Sequence, residues 1–230
     1  MTSVLIEYDF ESRSGASAAA ADKIAARVAE SLERDEQATV VLSGGTTPAE
    51  CFDILSRKPL AWDRVQLAMS DERWVPNDHD DSNEKLLREK LQRNAASAAS
   101  ILSIYQGDLS VDERCDSLQK QLPANSFACS LLGMGTDGHF ASLFPDADNL
   151  QVGLDRASTR FYLPVRTTAS PHPRVSMTLA ALLRSNEILL LFYGEKKRAI
   201  FERAKAGDAS LPVSALLEQH DVPVTCYWAR

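Results

Sequence analysis

The sequence is poor in cysteine and has no excess of basic residues, and each shortage excludes a class of protein. The four cysteines, at positions 51, 115, 129 and 226, form no Cys-x-x-Cys pair and show no metal-site spacing. We therefore expect unpaired thiols in a reducing compartment. The net charge is −7, from 25 basic and 32 acidic residues. Nucleic acid is not an expected partner, because phosphate backbones bind basic surfaces, whereas a few local cations suffice for a small anion.

Long apolar segments are absent as well. No stretch approaches the ~20 consecutive apolar residues of a membrane-spanning helix, so we expect no membrane contact. The first residues contain neither the basic region nor the apolar run of a secretory signal, which favours a cytoplasmic protein. The sequence also lacks a Gly-x-Ser-x-Gly elbow, and no cysteine stands beside a histidine. Acyl transfer through a covalent intermediate is therefore disfavoured.

Apolar runs typical of strands alternate with segments of helical spacing along the 230 residues. The predicted strands cover residues 4–8, 38–42, 62–69, 101–105, 127–132, 161–165, 186–193 and 222–227. The predicted helices cover residues 17–33, 49–55, 84–91, 111–122, 194–206 and 213–217, and 148–159 is predicted to be irregular. No linker or repeat divides the chain, so we expect one domain over residues 1–230. The alternation predicts an α/β fold with a mainly parallel sheet and helices on both faces.

The segment from Leu131 to Pro145 follows a predicted strand and contains glycines at positions 133, 135 and 138. Glycine allows backbone N–H groups to approach a ligand closely. The segment also contains Asp137 and His139, and a histidine can exchange protons near pH 7. Ligands of parallel α/β sheets bind beyond the carboxyl ends of the strands. We therefore predict an active site here, with His139 as the acid–base group and Asp137 as its partner.

Two other interpretations apply to this segment. Its letters Gly133-Met-Gly-Thr-Asp-Gly138 match the dinucleotide-binding pattern, which requires a helix directly after it. Pro145 follows Gly138 after seven residues, so such a helix is too short and dinucleotide binding is disfavoured. The segment can also be a structural turn with a histidine by chance, and the other motifs of the chain argue against that interpretation.

A second motif, Ser43-Gly-Gly-Thr-Thr-Pro48, joins a predicted strand to a predicted helix, with Pro48 suited to the first helical position. Backbone N–H groups of such a turn point at an anion, and the helix dipole favours negative charge. No Gly-Lys-Ser/Thr follows, so the motif is not a Walker P-loop. An ordinary strand–helix turn uses the same residue types. The predicted anion-binding residues are Ser43, Gly44, Gly45, Thr46 and Thr47.

A third strand end is rich in charge. Asp71 and Arg73 stand directly after a predicted strand, with His79 close behind. An arginine can hold a phosphate or a carboxylate with a fork of donors. A solvated charged loop, with Ser82 or Asn83 capping the next helix, is the simpler interpretation, and the two interpretations are compatible.

A fourth motif, Gly194-Glu-Lys-Lys197, opens a helix near the C-terminus. Lysines at this place oppose the helix dipole, so they indicate either a bound anion or an exposed flexible face. Arg174 adds another cation. The carboxyl ends of parallel strands meet at one edge of a sheet. We therefore predict that the four motifs converge into a phosphate-binding site beside one Asp–His pair.

These motifs together resemble those of the glucosamine-6-phosphate deaminase/6-phosphogluconolactonase family, and in particular those of its lactonases. The resemblance covers nearly the whole chain, in the family's order. Its matching stretches are Leu42-Ser-Gly-Gly-Thr-Thr-Pro48, Asp71-Glu-Arg-Trp-Val-Pro76 with His79, Ser82 and Asn83, Gly133 to Pro145, Arg174-Val-Ser-Met-Thr178, and Gly194-Glu-Lys-Lys197. Thr46 stands where the family often has serine, and Ser176 where it often has threonine, so both positions keep a hydroxyl.

The resemblance implies a fold shared with glucosamine-6-phosphate deaminase and ribose-5-phosphate isomerase. It also implies hydrolysis of 6-phosphogluconolactone to 6-phosphogluconate, a step of the pentose phosphate pathway, without metal or organic cofactor. Lys197 is favoured over Lys196 as the phosphate ligand, because the family lysine lies three residues after the glycine. Backbone N–H groups near Gly44, Gly45 or Gly135 are candidates to stabilise the oxyanion. The remaining substrate-binding candidates are Asp71, Arg73 and Arg174, and the oligomeric state stays open.

Three alternatives remain, of which the first is a sugar-phosphate deaminase or isomerase on the same fold. The deaminases share Asp-Gly-His but normally carry Asp-Glu-Tyr where this chain has Asp71-Glu-Arg73, and they lack the Ala-Ser-Leu-Phe-Pro ending. A catalytically idle sugar-phosphate sensor normally accompanies a DNA-binding module, for which this chain has no room. A metal hydrolase would use Asp71, His79, Asp137 and His139, which show no recognised ligand spacing.

Overall fold

The computed structural model describes residues 5–122 and 125–230. Its strands are β1 Leu5–Phe10, β2 Ala38–Leu42, β3 Val65–Met69, β4 Asp71–Arg73, β5 Ser100–Leu102, β6 Cys129–Leu132, β7 Tyr162–Val165, β8 Arg174–Met177, β9 Ile188–Tyr193 and β10 Val224–Ala229. Its helices are α1 Arg13–Arg34, α2 Ala49–Leu55, α3 Asn83–Lys90, α4 Val111–Gln119, α5 Leu150–Leu154, α6 Leu179–Leu182, α7 Glu195–Lys205 and α8 Pro212–Glu218. None of the helices in the described ranges is long and apolar enough to cross a membrane.

Seven strands form one sheet in the order β1-β10-β9-β6-β2-β3-β5, and every neighbouring pair is parallel. All five residues of β2 are buried, and so are the first five residues of β9. Strands buried on successive residues are covered on both faces, because successive side chains point to opposite sides. The expected α/β fold, with a mainly parallel sheet between helices, is confirmed.

Helix α1 packs against β1, β2, β6, β9 and β10. Its face towards the sheet consists of fully buried apolar side chains about one turn apart, namely Ala16, Ala20, Ile24 and Val28. The helix begins four residues before its predicted start at Ser17, because the Ser12 hydroxyl accepts a 3.1 Å hydrogen bond from the Gly15 N–H and caps it. The first turn carries no apolar periodicity, so the sequence pattern missed it.

A second, three-stranded antiparallel sheet has the order β4-β8-β7 and was not predicted. β4 consists of Asp71, Glu72 and Arg73, which the sequence presents as a charged turn. Three polar residues have neither the length nor the alternation that identifies a strand. The pairing of β4 with β8 sets Asp71 opposite Ser176 and Arg73 opposite Arg174, so two of the predicted site arginines become neighbours.

Several other boundaries differ from the predictions. Residues 62–64, predicted as strand, form a 3₁₀ turn before β3. The predicted irregular segment 148–159 contains α5. Pro48 stands at the N-cap of α2 and not at its first helical position. The predicted first strand begins at residue 4, which lies outside the described residues.

All four cysteines are buried and unpaired. Burial raises the pKa of Cys51 and of Cys115 to about 12, and it raises the pKa of Cys129 and Cys226 as well. These thiols therefore act as small apolar core residues.

Truncation of a buried side chain in β9 should lower the stability of the fold. Leu190 in β9 is fully buried between β6 and β10, so Leu190→Ala should lower the free energy of unfolding by about 2–5 kcal/mol, through lost burial and a cavity. Urea unfolding followed by circular dichroism measures this loss. The control is Val152→Ala at a position 51% exposed, where we expect a change within about 0.5 kcal/mol. Equal losses in the two variants would contradict the described core.

Candidate active site

The carboxyl ends of the parallel strands border a cavity of about 330 Å³. The cavity is lined by all but one of the predicted catalytic and substrate-binding residues: Ser43, Gly44, Gly45, Thr46, Thr47, Asp71, Arg73, Gly135, His139, Arg174 and Lys197. The exception is Asp137, which lies behind His139. Further lining residues that were not predicted as ligands are Asn83, Gly133, Met134, Ala141, Phe144 and Ala169. The four predicted motifs thus meet at one place.

His139 and Asp137 form a hydrogen-bonded pair at the edge of the cavity. The Nδ1 atom of His139 lies 2.6 Å from Oδ1 of Asp137, and the same oxygen accepts a 3.2 Å bond from the His139 backbone N–H. Burial raises the pKa of Asp137, but the hydrogen bond and charge of His139 outweigh burial, so the net pKa lies below its ordinary value. An ionised carboxylate can only accept, so Nδ1 carries the proton and Nε2 of the neutral ring is left as a base.

Gly135 makes this pairing sterically feasible. A Cβ atom at position 135 would lie 2.3 Å from Nδ1 of His139 and 2.4 Å from Oδ1 of Asp137. Gly138, with φ +80°, turns the backbone between the two halves of the motif. The Gly135 N–H donates to the His139 carbonyl oxygen at 2.9 Å, so this amide is engaged within the loop.

Phe144 joins the histidine to the second sheet. Its ring centroid lies 4.2 Å from that of His139, and the Arg174 guanidinium carbon lies 5.2 Å from the same ring. The Phe144 ring contacts the imidazole and is itself held by the guanidinium, so it restricts how far the imidazole can rotate. The sequence places Phe144 in the motif that ends at Pro145, but nothing in the motif indicates that the phenyl ring contacts the imidazole.

Asp71 orients Arg174 and is itself buried. Its Oδ2 accepts a 2.6 Å bond from the Ser142 hydroxyl, and its Oδ1 accepts a 2.8 Å bond from Ser70. Nη1 of Arg174 lies 3.7 Å from Oδ2 of Asp71 and donates to Ser142 at 3.3 Å. Burial lowers the pKa of Arg174, opposed by the charge of Asp71. Nε of Arg174 is buried without a partner in the described residues, so this guanidinium keeps donor capacity for a ligand.

Asn83 connects three segments of the cavity wall. Its Oδ1 accepts a 2.8 Å bond from Nη1 of Arg73, and its Nδ2 donates at 2.8 Å to the backbone oxygen of Asp71. A Cβ atom at position 44 would lie 1.8 Å from Oδ1 of Asn83, so glycine is required where the β2 loop passes the amide. The sequence suggested Ser82 or Asn83 as a helix cap, a role compatible with ligand binding, and Ser82 is the cap of α3.

Lys197 lies in the first turn of α7 and is half-buried at the cavity wall, whereas Lys196 is exposed. Burial lowers the pKa of Lys197, and the charge of Asp137 partly opposes this. The hydroxyl oxygen of Ser43 is buried in the wall without a hydrogen-bond partner in the described residues. An unsatisfied buried hydroxyl and a desolvated ammonium in the wall of one cavity are suited to an anion.

His79 does not line the cavity. Its Nδ1 accepts a 3.1 Å bond from the Asp81 N–H, and its ring packs edge-on against that of His172, 5.7 Å away. The set of four residues considered for a metal hydrolase is therefore not gathered at one point. Within residues 5–122 and 125–230, no three His, Cys, Asp or Glu side chains are arranged to hold a metal ion.

The chain is similar to known proteins in sequence and in fold. The model of the family described as glucosamine-6-phosphate isomerases/6-phosphogluconolactonase matches residues 11–228. The chain is 37% identical to the 6-phosphogluconolactonase of Mesorhizobium japonicum over 223 residues, which is 96% of this chain and 93% of that one. A crystal structure of a 6-phosphogluconolactonase from Shewanella baltica superposes with a TM-score of 0.93 at 32% identity, covering 100% of this chain and 98% of that chain.

A monomeric glucosamine-6-phosphate deaminase is similar in fold alone, with a TM-score of 0.76 at 20% identity over 98% of this chain and 97% of that chain. Fold and cavity together define an α/β enzyme with its site at the carboxyl ends of the strands. The chain belongs to the glucosamine-6-phosphate isomerase/6-phosphogluconolactonase family, as its motifs had indicated.

Removal of the His139 ring should raise the pKa of Asp137. Burial pushes this pKa up and the imidazole holds it down, so His139→Ala leaves burial less opposed. Carbon-13 NMR titration of aspartate carboxyls in both proteins measures the shift. Asp146 serves as the internal control, because hydrogen bonds from Thr167 and Thr168 lower its pKa to about 2 independently of His139. An unchanged or lower midpoint for Asp137 would contradict the pairing.

Proposed function

We propose that this protein hydrolyses 6-phospho-D-glucono-1,5-lactone to 6-phospho-D-gluconate. The observation that carries the proposal is the His139–Asp137 pair, since His139 lines the same cavity as Arg73, Arg174 and Lys197. A lactone phosphate requires one base and one site for the phosphate. Relatives named 6-phosphogluconolactonase, at 37% identity over most of the chain, support the same assignment.

His139 acts on water in this mechanism. Nε2 removes a proton from a water molecule as the oxygen attacks the lactone carbonyl carbon. The resulting imidazolium, stabilised by the Asp137 carboxylate at 2.6 Å, then protonates the departing ring oxygen. The ring opens to a carboxylic acid, which ionises. A lactone is already reactive towards water, so positioning and one base suffice and no covalent nucleophile is needed.

The oxyanion of the tetrahedral intermediate requires donors. Gly135 was one candidate, but its N–H is bonded to the His139 carbonyl oxygen, so we assign this role to the amides of Gly44 and Gly45. Gly45 has φ +86° and no atom within 4 Å of a hypothetical Cβ, which leaves room for a ligand against the backbone.

The phosphate dianion lies, in this proposal, against Lys197 and the loop of Thr46 and Thr47, at the N-terminus of α2. The guanidinium groups of Arg73 and Arg174 face the same cavity from the second sheet, and in this proposal they also hold the phosphate. Binding energy gained at the phosphate, remote from the carbonyl, fixes the carbonyl near His139. The mechanism as written uses no metal and no organic cofactor, and we propose that it operates in the cytoplasm.

His139→Ala should reduce turnover of 6-phosphogluconolactone by roughly 10²–10⁴-fold, the range that a general base contributes. The lactone is generated in place and its disappearance is followed at mildly acidic pH, in the presence of a chelator. His172→Ala is the matched control, because this histidine lies outside the cavity lining and should leave turnover unchanged.

Full turnover in His139→Ala would remove this residue from the catalytic role. Loss of wild-type activity on addition of the chelator would refute the metal-independent mechanism. A well-folded wild type that does not accelerate lactone hydrolysis would refute the proposed reaction, and amino-sugar phosphates would then be tested for ammonia release.

Lys197→Ala should raise the Michaelis constant for 6-phosphogluconolactone by roughly 10–100-fold, because it removes a charge-assisted hydrogen bond to the phosphate. The neighbouring Lys196→Ala removes the same charge from an exposed position and should leave the constant unchanged. Steady-state kinetics on the phosphorylated lactone and on glucono-1,5-lactone, which lacks the phosphate, separate the two cases. A loss that is equal for both substrates would contradict a phosphate contact.

A further inference from the structure

Glu72 is fully buried and lines no part of the cavity, although its neighbours Asp71 and Arg73 both do. Side chains alternate along a strand, so the middle residue of β4 points away from the ligand side. The carboxylate is directed instead at the N-terminus of α3. None of the catalytic or binding roles proposed above uses it.

Four donors surround the Glu72 carboxylate. Oε1 accepts from the backbone N–H groups of Arg73 at 2.8 Å and Asn83 at 2.7 Å. Oε2 accepts from the backbone N–H of Glu84 at 2.8 Å and from the hydroxyl of Ser82 at 3.1 Å. The bonds join β4 to the first turn of α3, across the loop between them. This one carboxylate therefore fixes the position of Asn83 relative to Arg73.

The cost of this arrangement indicates that it does more than cap a helix. Ser82 already caps α3, because its hydroxyl accepts from the Lys85 N–H at 3.2 Å. Helix α4 is capped by Ser110 and Glu113 at the surface, where a carboxylate keeps its hydration. Burial raises the pKa of Glu72 to about 7 against the four hydrogen bonds that lower it. Burying a second carboxylate at a helix that is already capped costs free energy, so capping does not account for Glu72.

The residue that Glu72 holds, Asn83, in turn contacts the cavity wall. Asn83, held by Glu72 through its backbone, uses its side-chain amide to bond both Nη1 of Arg73 and the backbone oxygen of Asp71. We propose that Glu72 is a positioning residue that holds the Arg73 guanidinium in its substrate-binding orientation through Asn83. The inference rests on the proposed function only for its kinetic measurement.

Glu72→Gln is the decisive substitution because it preserves size. An amide in this position keeps one acceptor oxygen but turns an NH₂ group towards two donors, so one pair of donors loses its acceptor. Each pair includes a donor from the start of α3, so in either case this end of the helix is held less firmly and Asn83 should shift away from Arg73. We expect a Michaelis constant for 6-phosphogluconolactone raised about tenfold, with turnover within about threefold of wild type.

The test is a double-mutant cycle of Glu72→Gln with Arg73→Ala. If Glu72 acts through Arg73, the tenfold effect should fall to within about twofold once the guanidinium is absent, because coupled residues are non-additive. Additive losses in the cycle would overturn the proposal. The control is Glu113→Gln, which weakens the cap of α4. Helix α4 contributes no residue to the cavity, so this substitution should leave both kinetic constants unchanged.

The same cycle is measured with inorganic phosphate as ligand, by calorimetry. If wild type fails to hydrolyse the lactone, the proposed reaction falls, whereas the phosphate cycle still supports or overturns the role of Glu72. If Glu72→Gln does not fold, Asn83→Ala is used instead, because it removes the side-chain hydrogen bond between Asn83 and Arg73. Asn83→Ala must then be non-additive with Arg73→Ala, and additivity there would equally overturn the proposal.

Discussion

The parallel alignment of β2, β6 and β9 is the constraint on which the site depends. Leu42 stands level with Leu131, and Leu131 with Leu189, so the three strands reach the same edge of the sheet in step. The ladder continues one residue further, where the Ser43 N–H donates to the Leu131 carbonyl oxygen at 2.9 Å. Because this register is set by backbone bonds between buried strands, it brings the loops that follow to one edge of the sheet, where bonds such as that from Ser142 to Asp71 join them.

Ser70 connects the second sheet to the first, in addition to the hydrogen bond from the Tyr162 hydroxyl to the Met69 carbonyl oxygen. The Ser70 N–H donates to the Leu42 carbonyl oxygen at 2.9 Å, and the Ser70 carbonyl oxygen accepts from the Met177 N–H at 2.7 Å. Ser70 thus belongs by one bond to the edge of the parallel sheet and by the other to the antiparallel strands. Asp71 follows it directly, and so the second wall of the cavity is positioned by the end of β3.

Much of this architecture could be predicted from the sequence, because local pattern and tertiary position coincide in it. The motifs at Ser43 and Gly133 directly follow strongly apolar strands, and parallel topology then requires them to converge. The second sheet could not be predicted, because β4 is three charged residues long and exists only through its pairing with β8. Asn83, which lines the cavity, and Glu72, which is buried behind it, were missed for a related reason. Their roles are defined by partners ten or more positions away, which no local spacing records.

The burial of all four cysteines makes the folded chain inert to thiol reagents. Only the thiolate reacts, and burial raises the pKa of every native thiol far above neutrality. A fluorescent maleimide would therefore attach to a single cysteine introduced at an exposed place such as position 152, with no native cysteine removed. Conversely, labelling of the unaltered protein reports only molecules that have opened, so the rate of labelling of the four thiols measures the rate of opening.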